Sequence, residues 1–205
     1  MQQKLIIDTD PGIDDAMAIH YAFAHPGLDV LGLTTIFGNV FVPQATRNAL
    51  LLSEQAHYSV NVAEGAAKPL VQSLNPPSHH VHGAEGFGDV PVKQPYGMQL
   101  EISAADYIVK KCRQHSGEVI LCPVGPLTNI AAALKADPEL VNHVQKVVIM
   151  GGAVWSPGNV SAYAEANIWN DPHAADEVFA ADWDIDLIGL DLSLIHISEP
   201  TRHTR

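Results

Sequence analysis

Short apolar runs alternate along the chain with longer segments in which apolar residues recur every three or four positions. The short runs predict buried strands, and the longer segments predict amphipathic helices. The predicted strands are residues 5–8, 30–36, 60–63, 118–122, 146–150 and 185–190. The predicted helices are one from Asp14 to the His25-Pro26-Gly27 turn and four over residues 43–55, 103–115, 127–135 and 173–181. This alternation predicts an α/β fold with a mostly parallel central sheet flanked by helices.

Residues 64–99 interrupt the alternation, because they are rich in Gly, Pro and His and follow neither period. A loop of this length inside a compact domain is usually functional or disordered. His79, His80 and His82 lie in it without a Cys at a zinc-binding spacing. We therefore expect histidines in a solvated loop and no zinc site.

Polar or glycine-containing turns follow the ends of the predicted strands. They are Asp8–Asp15, Asn39, Val124, Gly151-Gly152 and Asp191. Ligands of open parallel sheets bind outside the carboxyl ends of the strands. We therefore expect these turns to share one edge of the sheet.

The first of these turns, Asp8-Thr9-Asp10-Pro11-Gly12-Ile13-Asp14-Asp15, places four carboxylates within eight residues. Two unit charges about 4 Å apart repel by about 4 kcal/mol at an effective dielectric near 20. Carboxylates that face one another therefore take up protons or bind a cation, and Ca²⁺ or Mg²⁺ prefers such oxygen ligands. An EF-hand is excluded, because Gly12 and Ile19 occupy positions where that loop needs carboxylates. The alternative is a helix terminus with solvated acids, capped by Asp14.

Composition narrows the class of protein further. The 205 residues are 47% hydrophobic and 17% charged, as in a globular protein with a sizeable core. The net charge of −12 opposes binding to a phosphate backbone, so nucleic acid is not an expected partner. The apolar residues after Lys4 are too few for a signal-peptide core, and no apolar run reaches the length of a membrane span. We therefore expect a cytoplasmic protein that does not bind membranes.

The acidic turn resembles the signature of the inosine–uridine-preferring nucleoside hydrolases. Further segments resemble that family in its order along the chain, and the resemblance extends over residues 5–191. These segments are Thr34–Val40, Gly65–Leu70, His82–Gly86, Gly125–Asn129, Met150–Ala153, Gly158-Asn159 and Glu165–Asn167. The resemblance implies Ca²⁺-dependent hydrolysis of the N-glycosidic bond of ribonucleosides, which yields free base and ribose. It also implies a nucleoside hydrolase-like fold and a homodimer or homotetramer of the full-length form.

The resemblance implies a role for each residue of the acidic turn and its neighbours. Asp10 and Asp15 would bind Ca²⁺ together with the backbone carbonyl of Val124. Asp10 would also be the general base that activates the attacking water. Asp14 would bind the ribose 2′-hydroxyl, and Asn39 would orient the water and the Asp14 side of the site.

Other residues would contact the substrate. The resemblance implies that Asn167 binds the ribose diol and that Asn159 and Glu165 bind the 5′-hydroxyl end. His82 would lie near the leaving base. Because the transition state resembles an oxocarbenium ion, an anionic site of this kind would stabilise it. The preferred base stays open, since variable loops and the C-terminal part supply the base contacts in the family.

The last residues of the chain depart from the family pattern. The run from Leu192 to Arg202 resembles an in-frame translation of a sequencing adapter. We therefore expect residues 1–191 to be a partial, C-terminally truncated nucleoside hydrolase domain and residues 192–205 to be a non-native tail. The truncated part of the family supplies a further calcium-binding Asp and a His that protonates the leaving base. His196 is not its substitute, because its neighbours do not match the family, and we expect the chain to be impaired or inactive.

Two other functions stay open at this point. Aspartyl-phosphate phosphatases also use Asp-x-Asp after a first strand, and Asp8 or Asp10 would then be the nucleophile. The additional acids Asp14 and Asp15 are not needed for that chemistry. The second of these functions is that of a non-catalytic binder of a divalent ion or of ribose.

Overall fold

Six parallel strands form the central sheet of the computed structural model, which describes residues 2–192. They are β1 (Gln3–Thr9), β2 (Leu28–Thr35), β3 (Asn61–Glu64), β4 (Val119–Pro123), β5 (Val144–Met150) and β6 (Ile185–Ile188). Their spatial order is β3-β2-β1-β4-β5-β6, and every neighbouring pair is parallel. The predicted fold class is therefore confirmed. All six predicted strands are present, and their bounds differ from the prediction by two residues at most.

Helices connect the strands and pack on the sheet. They are α1 (Ile13–Ala24), α2 (Val42–Gln55), α3 (His79–His82), α4 (Ala104–Gln114), α5 (Thr128–Ala136), α6 (Ala166–Asn170) and α7 (Pro172–Ala180), with a 3₁₀ helix at Pro138–Asn142. The five predicted helices correspond to α1, α2, α4, α5 and α7. The two short α-helices and the 3₁₀ helix were not predicted, because a single turn is too short to show a period. None of the helices within residues 2–192 has the length and apolar composition of a membrane span.

Successive residues of β1 point to opposite faces of the sheet and enter two separate hydrophobic clusters. Ile6 packs with Ile108 of α4 on one face. Leu5 and Ile7 pack with Ile19 of α1 on the other face. Burial on both faces explains why the inner strands are apolar at consecutive positions.

The outermost strand β6 differs from the inner strands. Leu187 and Ile188 are 36% and 40% exposed, although both are large apolar side chains. Within the described residues, β6 pairs with β5 on one side only.

Successive strands are added to the sheet on one side of β1 and then on the opposite side from β4 onward. From β1 the chain proceeds outward to β2 and β3, and from β4 it proceeds the other way to β5 and β6. A crevice for ligands forms outside the carboxyl ends of the strands at such a reversal. The acidic turn follows β1 and Val124 follows β4, and the Val124 N–H donates to the Asp8 carbonyl at 2.8 Å. The fold therefore brings two of the predicted site segments to the crevice.

Candidate active site at the carboxyl edge of the sheet

The acidic turn joins β1 to α1 and buries three of its four carboxylates. Asp8 and Asp10 are each 1% exposed, and Asp15 is 5% exposed. The side chain of Asp14, in contrast, is 76% exposed. The alternative of solvated acids at a helix terminus therefore fits Asp14 alone.

Three donors hold the carboxylate of Asp15. The Thr9 hydroxyl donates to Oδ1 at 2.7 Å, and the Gly12 N–H donates to Oδ2 at 3.0 Å. The Asn39 side-chain amide also donates to Oδ2, at 3.1 Å. Burial raises the pKa of Asp15, and the charge of Asp14 raises it further, while the hydrogen bonds from Gly12 and Thr9 oppose the shift. Asp15 is thus a fixed carboxylate in the first turn of α1.

Asp10 has one satisfied and one unsatisfied oxygen. The Asn39 N–H donates to Oδ2 at 2.6 Å. Oδ1 is buried and has no hydrogen-bond partner. Burial raises the pKa of Asp10 well above its usual value, and the neighbouring charge of Asp15 adds to the shift. A buried carboxylate oxygen without a donor is costly unless it carries a proton or faces a cation or a ligand.

Glycines allow the backbone to approach Asp10 closely from two sides. A Cβ atom at Gly125 would lie 2.7 Å from Oδ1, and a Cβ atom at Gly38 would overlap with Oδ2. Both glycines belong to loops that follow strands, since β4 ends at Pro123 and β2 ends at Thr35. The slot around the Asp10 carboxylate therefore depends on residues without side chains.

Asn39 connects the two buried carboxylates that the resemblance assigns to the ion. Its backbone N–H binds Asp10, and its side-chain amide binds Asp15. Because both donors belong to one residue, Asn39 fixes the spacing of the two carboxylates. It therefore lies in the predicted site, where it contacts the carboxylates directly.

His82 reaches the acidic turn from the irregular segment. Its Nδ1 accepts the Ile13 N–H at 3.4 Å and lies 3.7 Å from Asp14 Oδ1. The His82 side chain is only 12% exposed. A Cβ atom at Gly12 would lie 2.6 Å from the same nitrogen, so the histidine packs directly on the turn. Of the three histidines of this segment, His82 is thus the one that the structure places against the acidic turn.

Asn167 lies at the start of α6, beside the carboxyl ends of β4 and β5. Its Nδ2 donates to the carbonyl oxygens of Val124 at 2.9 Å and Met150 at 3.1 Å. It thereby ties the ends of β4 and β5 together. Asn159 lies in the preceding loop, is exposed, and accepts the Ala166 N–H through Oδ1 at 3.0 Å.

Glu165 is 2% exposed, and both of its carboxylate oxygens accept backbone N–H groups. The donors are Asn167 at 3.0 and 2.9 Å, Ile168 at 3.2 Å and Gly152 at 2.9 Å. Glu165 therefore caps α6 and holds Asn167 in place. Sequence reasoning missed this role, and the contact with a 5′-hydroxyl stays a prediction.

Sequence reasoning also missed a network centred on Asp8. Oδ1 accepts the Thr34 hydroxyl at 2.6 Å and the Asn129 side-chain amide at 2.8 Å, while Oδ2 is buried without a partner. Burial raises the pKa of Asp8 to about 7 despite these two hydrogen bonds. Asn129 also donates to the Thr35 carbonyl at 2.9 Å and accepts the Ala66 N–H at 2.9 Å. This network joins β1, β2, α5 and the start of the irregular segment beneath the site.

Comparison with known proteins identifies the family. A sequence model described as inosine-uridine preferring nucleoside hydrolase matches residues 5–204. The chain belongs to this family. The matched interval includes residues 192–204, so a boundary of the native sequence at residue 191 stays a prediction. Residues 193–205, including His196, lie outside the described residues.

Named relatives are similar to this nucleoside hydrolase chain over most of its length. It is 50% identical to uridine nucleosidase 1 of Arabidopsis thaliana over 93% of the chain and 57% of that protein. It is 39% identical to the inosine-uridine preferring nucleoside hydrolase of Leishmania major over 100% of the chain and 66% of that protein. The chain therefore spans less than two thirds of the length of these relatives.

Solved structures of nucleoside hydrolases have the same fold. A plant nucleoside hydrolase superposes with a TM-score of 0.90 at 44% identity, and the match covers 93% of this chain and 61% of the plant protein. The purine-preferring ribonucleoside hydrolase from Gardnerella vaginalis also gives a TM-score of 0.90, at 38% identity, over 92% of this chain and 61% of its own.

The donors expected to hold an ion in this chain are all oxygen atoms. They are the carboxylates of Asp10 and Asp15 and the carbonyl of Val124, a set that suits Ca²⁺. The unpaired Oδ1 of Asp10 fits such an ion, because it has no other partner. Between residues 2 and 192, no group of three or more His, Cys, Asp and Glu side chains is arranged to hold a metal. Since Ca²⁺ takes about six to eight oxygen ligands, these donors form only part of a coordination shell.

Proposed function

We propose that this chain forms the N-terminal part of a Ca²⁺-dependent ribonucleoside hydrolase in nucleoside catabolism. The reaction cleaves the N-glycosidic bond and yields free base and ribose. The observation that carries the proposal is the buried Asp10 carboxylate, whose Oδ1 has no partner at the point where the sheet reverses direction. Membership of the nucleoside hydrolase family supports the class of reaction.

Asp10, Asp15 and the carbonyl of Val124 would hold the Ca²⁺ ion. When bound, the ion would neutralise the two carboxylates and lower the pKa of water in the site. Asn39 keeps the two carboxylates at a fixed spacing through its two hydrogen bonds. The two carboxyl groups are therefore held in place before an ion binds, while burial raises the pKa of both and favours their protonated forms until a cation is present.

Asp10 is the proposed general base. Its Oδ2 is held by the Asn39 N–H at 2.6 Å, and its Oδ1 is free of competing donors. In its deprotonated form, the Asp10 carboxylate would accept a proton from a water molecule as the water oxygen bonds to the anomeric carbon. The N-glycosidic bond would break at the same time, and its electron pair would leave with the base. General base catalysis of this kind contributes about 10²–10⁴ in rate.

The remaining site residues would bind the nucleoside. Asp14 is the exposed carboxylate of the turn, beside His82, and would accept a hydrogen bond from the ribose 2′-hydroxyl. Asn167 would bind the diol, and Asn159 and Glu165 would contact the 5′-hydroxyl end. Negative charge at Asp10 and Asp14 would stabilise the positive charge that develops on the sugar. His82 would lie near the leaving base.

We further propose that the 205-residue chain alone has little or no activity, because it spans 57% of a relative that is 50% identical. Residues 192–205 are proposed to be a non-native tail. The longer protein would work in the cytoplasm as a homodimer or homotetramer on small ribonucleosides, without nucleic acid or membrane partners. The net charge of −12 supports the absence of a nucleic acid partner.

An isotope experiment separates this function from the two alternatives. A longer form, in which a C-terminal part from a relative follows Asp191, is incubated with uridine or inosine in water labelled with heavy oxygen. Nucleoside hydrolysis predicts label at C1 of the released ribose. In a separate incubation with a phosphate monoester, a covalent phosphoryl-enzyme and labelled free phosphate would support the phosphatase. Binding of ribose without release of base from uridine or inosine would support the non-catalytic binder. Either result would contradict the proposal.

A further inference from the structure

A buried amide on α2 bridges the acidic turn and the loop that carries His82. Asn48 is 0% exposed. Its Nδ2 donates to the carbonyl oxygens of Pro11 at 3.1 Å and Glu85 at 2.9 Å. Pro11 belongs to the acidic turn, and Glu85 follows His82 by three residues. One side chain therefore contacts both segments that meet at the site.

The orientation of the Asn48 amide is set by its neighbours. Its Oδ1 accepts hydrogen bonds from Arg47 Nε at 3.2 Å and Nη2 at 2.9 Å. A guanidinium only donates and a carbonyl only accepts, so the amide has one arrangement that satisfies both sides. Arg47 also donates to the Glu85 carboxylate at 2.6 Å and to the Glu85 carbonyl at 3.3 Å. Arg47 and Asn48 together hold the backbone at residue 85.

Glycine makes the close contact possible. Gly86 has a φ of +89°, and a Cβ atom there would lie 2.7 Å from Asn48 Nδ2 and 2.8 Å from the Pro11 carbonyl. The loop backbone thus packs directly on the amide and on the acidic turn. The loop also closes on itself, because the Gly88 N–H donates to the His82 carbonyl at 2.7 Å.

We infer that Asn48 is a positioning residue that fixes His82 against the acidic turn. Asn48 contacts the turn and the loop, while His82 contacts the same turn at Ile13 and Asp14. Loss of the amide would leave the carbonyls of Pro11 and Glu85 without their shared donor and would free His82 to move away. The consequence for catalysis rests on the proposed function, whereas the consequence for the position of His82 does not.

Chemical modification of histidines in the 205-residue chain tests the position of His82 directly. Diethylpyrocarbonate modifies accessible imidazoles, and mass spectrometry measures the rate of modification at each histidine separately. Asn48→Ala should raise the rate at His82 by about fivefold, the factor expected for one lost hydrogen bond. His143, which is hydrogen-bonded to Ser116, should keep its rate in the same sample.

Asn129→Ala is the matched control, because Asn129 is also a buried amide, 1% exposed, that joins separate segments. It should lower the melting temperature without a selective change at His82. If Asn48→Ala does not fold, Arg47→Met replaces it as the test variant, and it should raise the modification rate of His82 by a smaller factor. An unchanged His82 rate in the folded variant would overturn the inference, as would an equal rise in Asn129→Ala.

A second measurement uses the longer form of the protein and its rate of nucleoside hydrolysis. If Asn48 acts through His82, the double variant Asn48→Ala with His82→Ala should be no slower than His82→Ala alone. Multiplied rate losses would contradict the inference. If the unsubstituted longer form releases no base at all, the proposed function fails, and the modification rates alone decide the role of Asn48.

Discussion

Asn167 donates its side-chain amide to the backbone carbonyl of Val124 at 2.9 Å. The proposed sugar-binding residue therefore touches the carbonyl that is proposed to bind the ion. Because one amide orients this carbonyl, ion binding and sugar binding should be coupled in the protein. Glu165 in turn fixes the start of α6, because its carboxylate accepts the backbone N–H groups of Asn167 and Ile168.

The first prediction concerns that coupling. Asn167→Ala should weaken Ca²⁺ binding by about tenfold or more, as loss of a group that orients a metal ligand commonly does. Calorimetric titration of the chain with Ca²⁺ measures this affinity. Asn159→Ala is the control, because Asn159 binds the Ala166 N–H and not the Val124 carbonyl. Equal affinities for Asn167→Ala and the unsubstituted chain would contradict the coupling.

The second prediction concerns the ion and thermal stability. An ion that binds only the folded state at a concentration about 100 times its Kd stabilises it by about 2.7 kcal/mol. Ca²⁺ should therefore raise the melting temperature, and Asp10→Asn and Asp15→Asn should each reduce the rise. In chelator, Asp10→Asn should be at least as stable as the unsubstituted chain, since burial and Asp15 both oppose the charge of Asp10.

Asp137→Asn is the control for the second prediction, because Asp137 pairs with Arg113 at 2.6 and 2.7 Å and is 7% exposed. This variant should be less stable and still respond fully to Ca²⁺. A melting temperature that responds equally to Ca²⁺ in all variants would show that the acidic turn does not bind the ion.

The third prediction concerns pH. Burial raises the pKa of Asp8 from 3.8 to about 7 in the folded chain, so the folded state binds its proton more tightly than the unfolded state. The stabilisation of the folded state by the tighter binding of the Asp8 proton is complete below the pKa of Asp8 in the unfolded chain. It is lost as pH rises through the pKa of Asp8 in the folded chain. In chelator, the free energy of unfolding should therefore fall between about pH 4 and about pH 7. The raised pKa values of Asp10 and Asp15 contribute to the same fall, so Asp8→Asn should reduce this slope without abolishing it. Denaturant unfolding at several pH values measures the slope. An unchanged slope would contradict the raised pKa of Asp8.

The fourth prediction concerns the sugar. A site that binds a hydroxyl discriminates strongly against an analogue that lacks it, often by about 10⁴ or more. The longer form should thus cleave 2′-deoxyuridine far more slowly than uridine. Asp14→Ala should lower kcat/KM for uridine by a larger factor than that for 2′-deoxyuridine, because 2′-deoxyuridine loses only the stabilising charge and no hydrogen bond. If Asp14→Ala lowers kcat/KM by the same factor for both substrates, Asp14 does not bind the 2′-hydroxyl.

Much of the fold follows from the sequence because the inner strands are buried on both faces. β1 is apolar at consecutive positions, and Leu5 and Ile6 serve opposite clusters. The short helices α3 and α6 escaped prediction because one turn carries no measurable period. Their start and end depend on distant partners, such as the contact of Glu165 with Gly152.

The site was predictable where residues follow strand ends. Asp10, Asp15 and Asn39 meet at one edge because the strands are parallel, and the sequence places them after β1 and β2. Asn48 could not be predicted in this way. It lies inside a helix, and its two partners are each 37 residues away, so no local pattern marks it.

Release of free base from uridine and inosine tests the central claim most directly. The longer form, with a C-terminal part from a relative after Asp191, is assayed with Ca²⁺ and with chelator, beside its Asp10→Asn variant. Base release should require Ca²⁺ and should fall by about 10²–10⁴ in Asp10→Asn, the range expected for loss of a general base. Base release that is unaffected by chelator and by Asp10→Asn would contradict the assignment of the acidic turn as the active site.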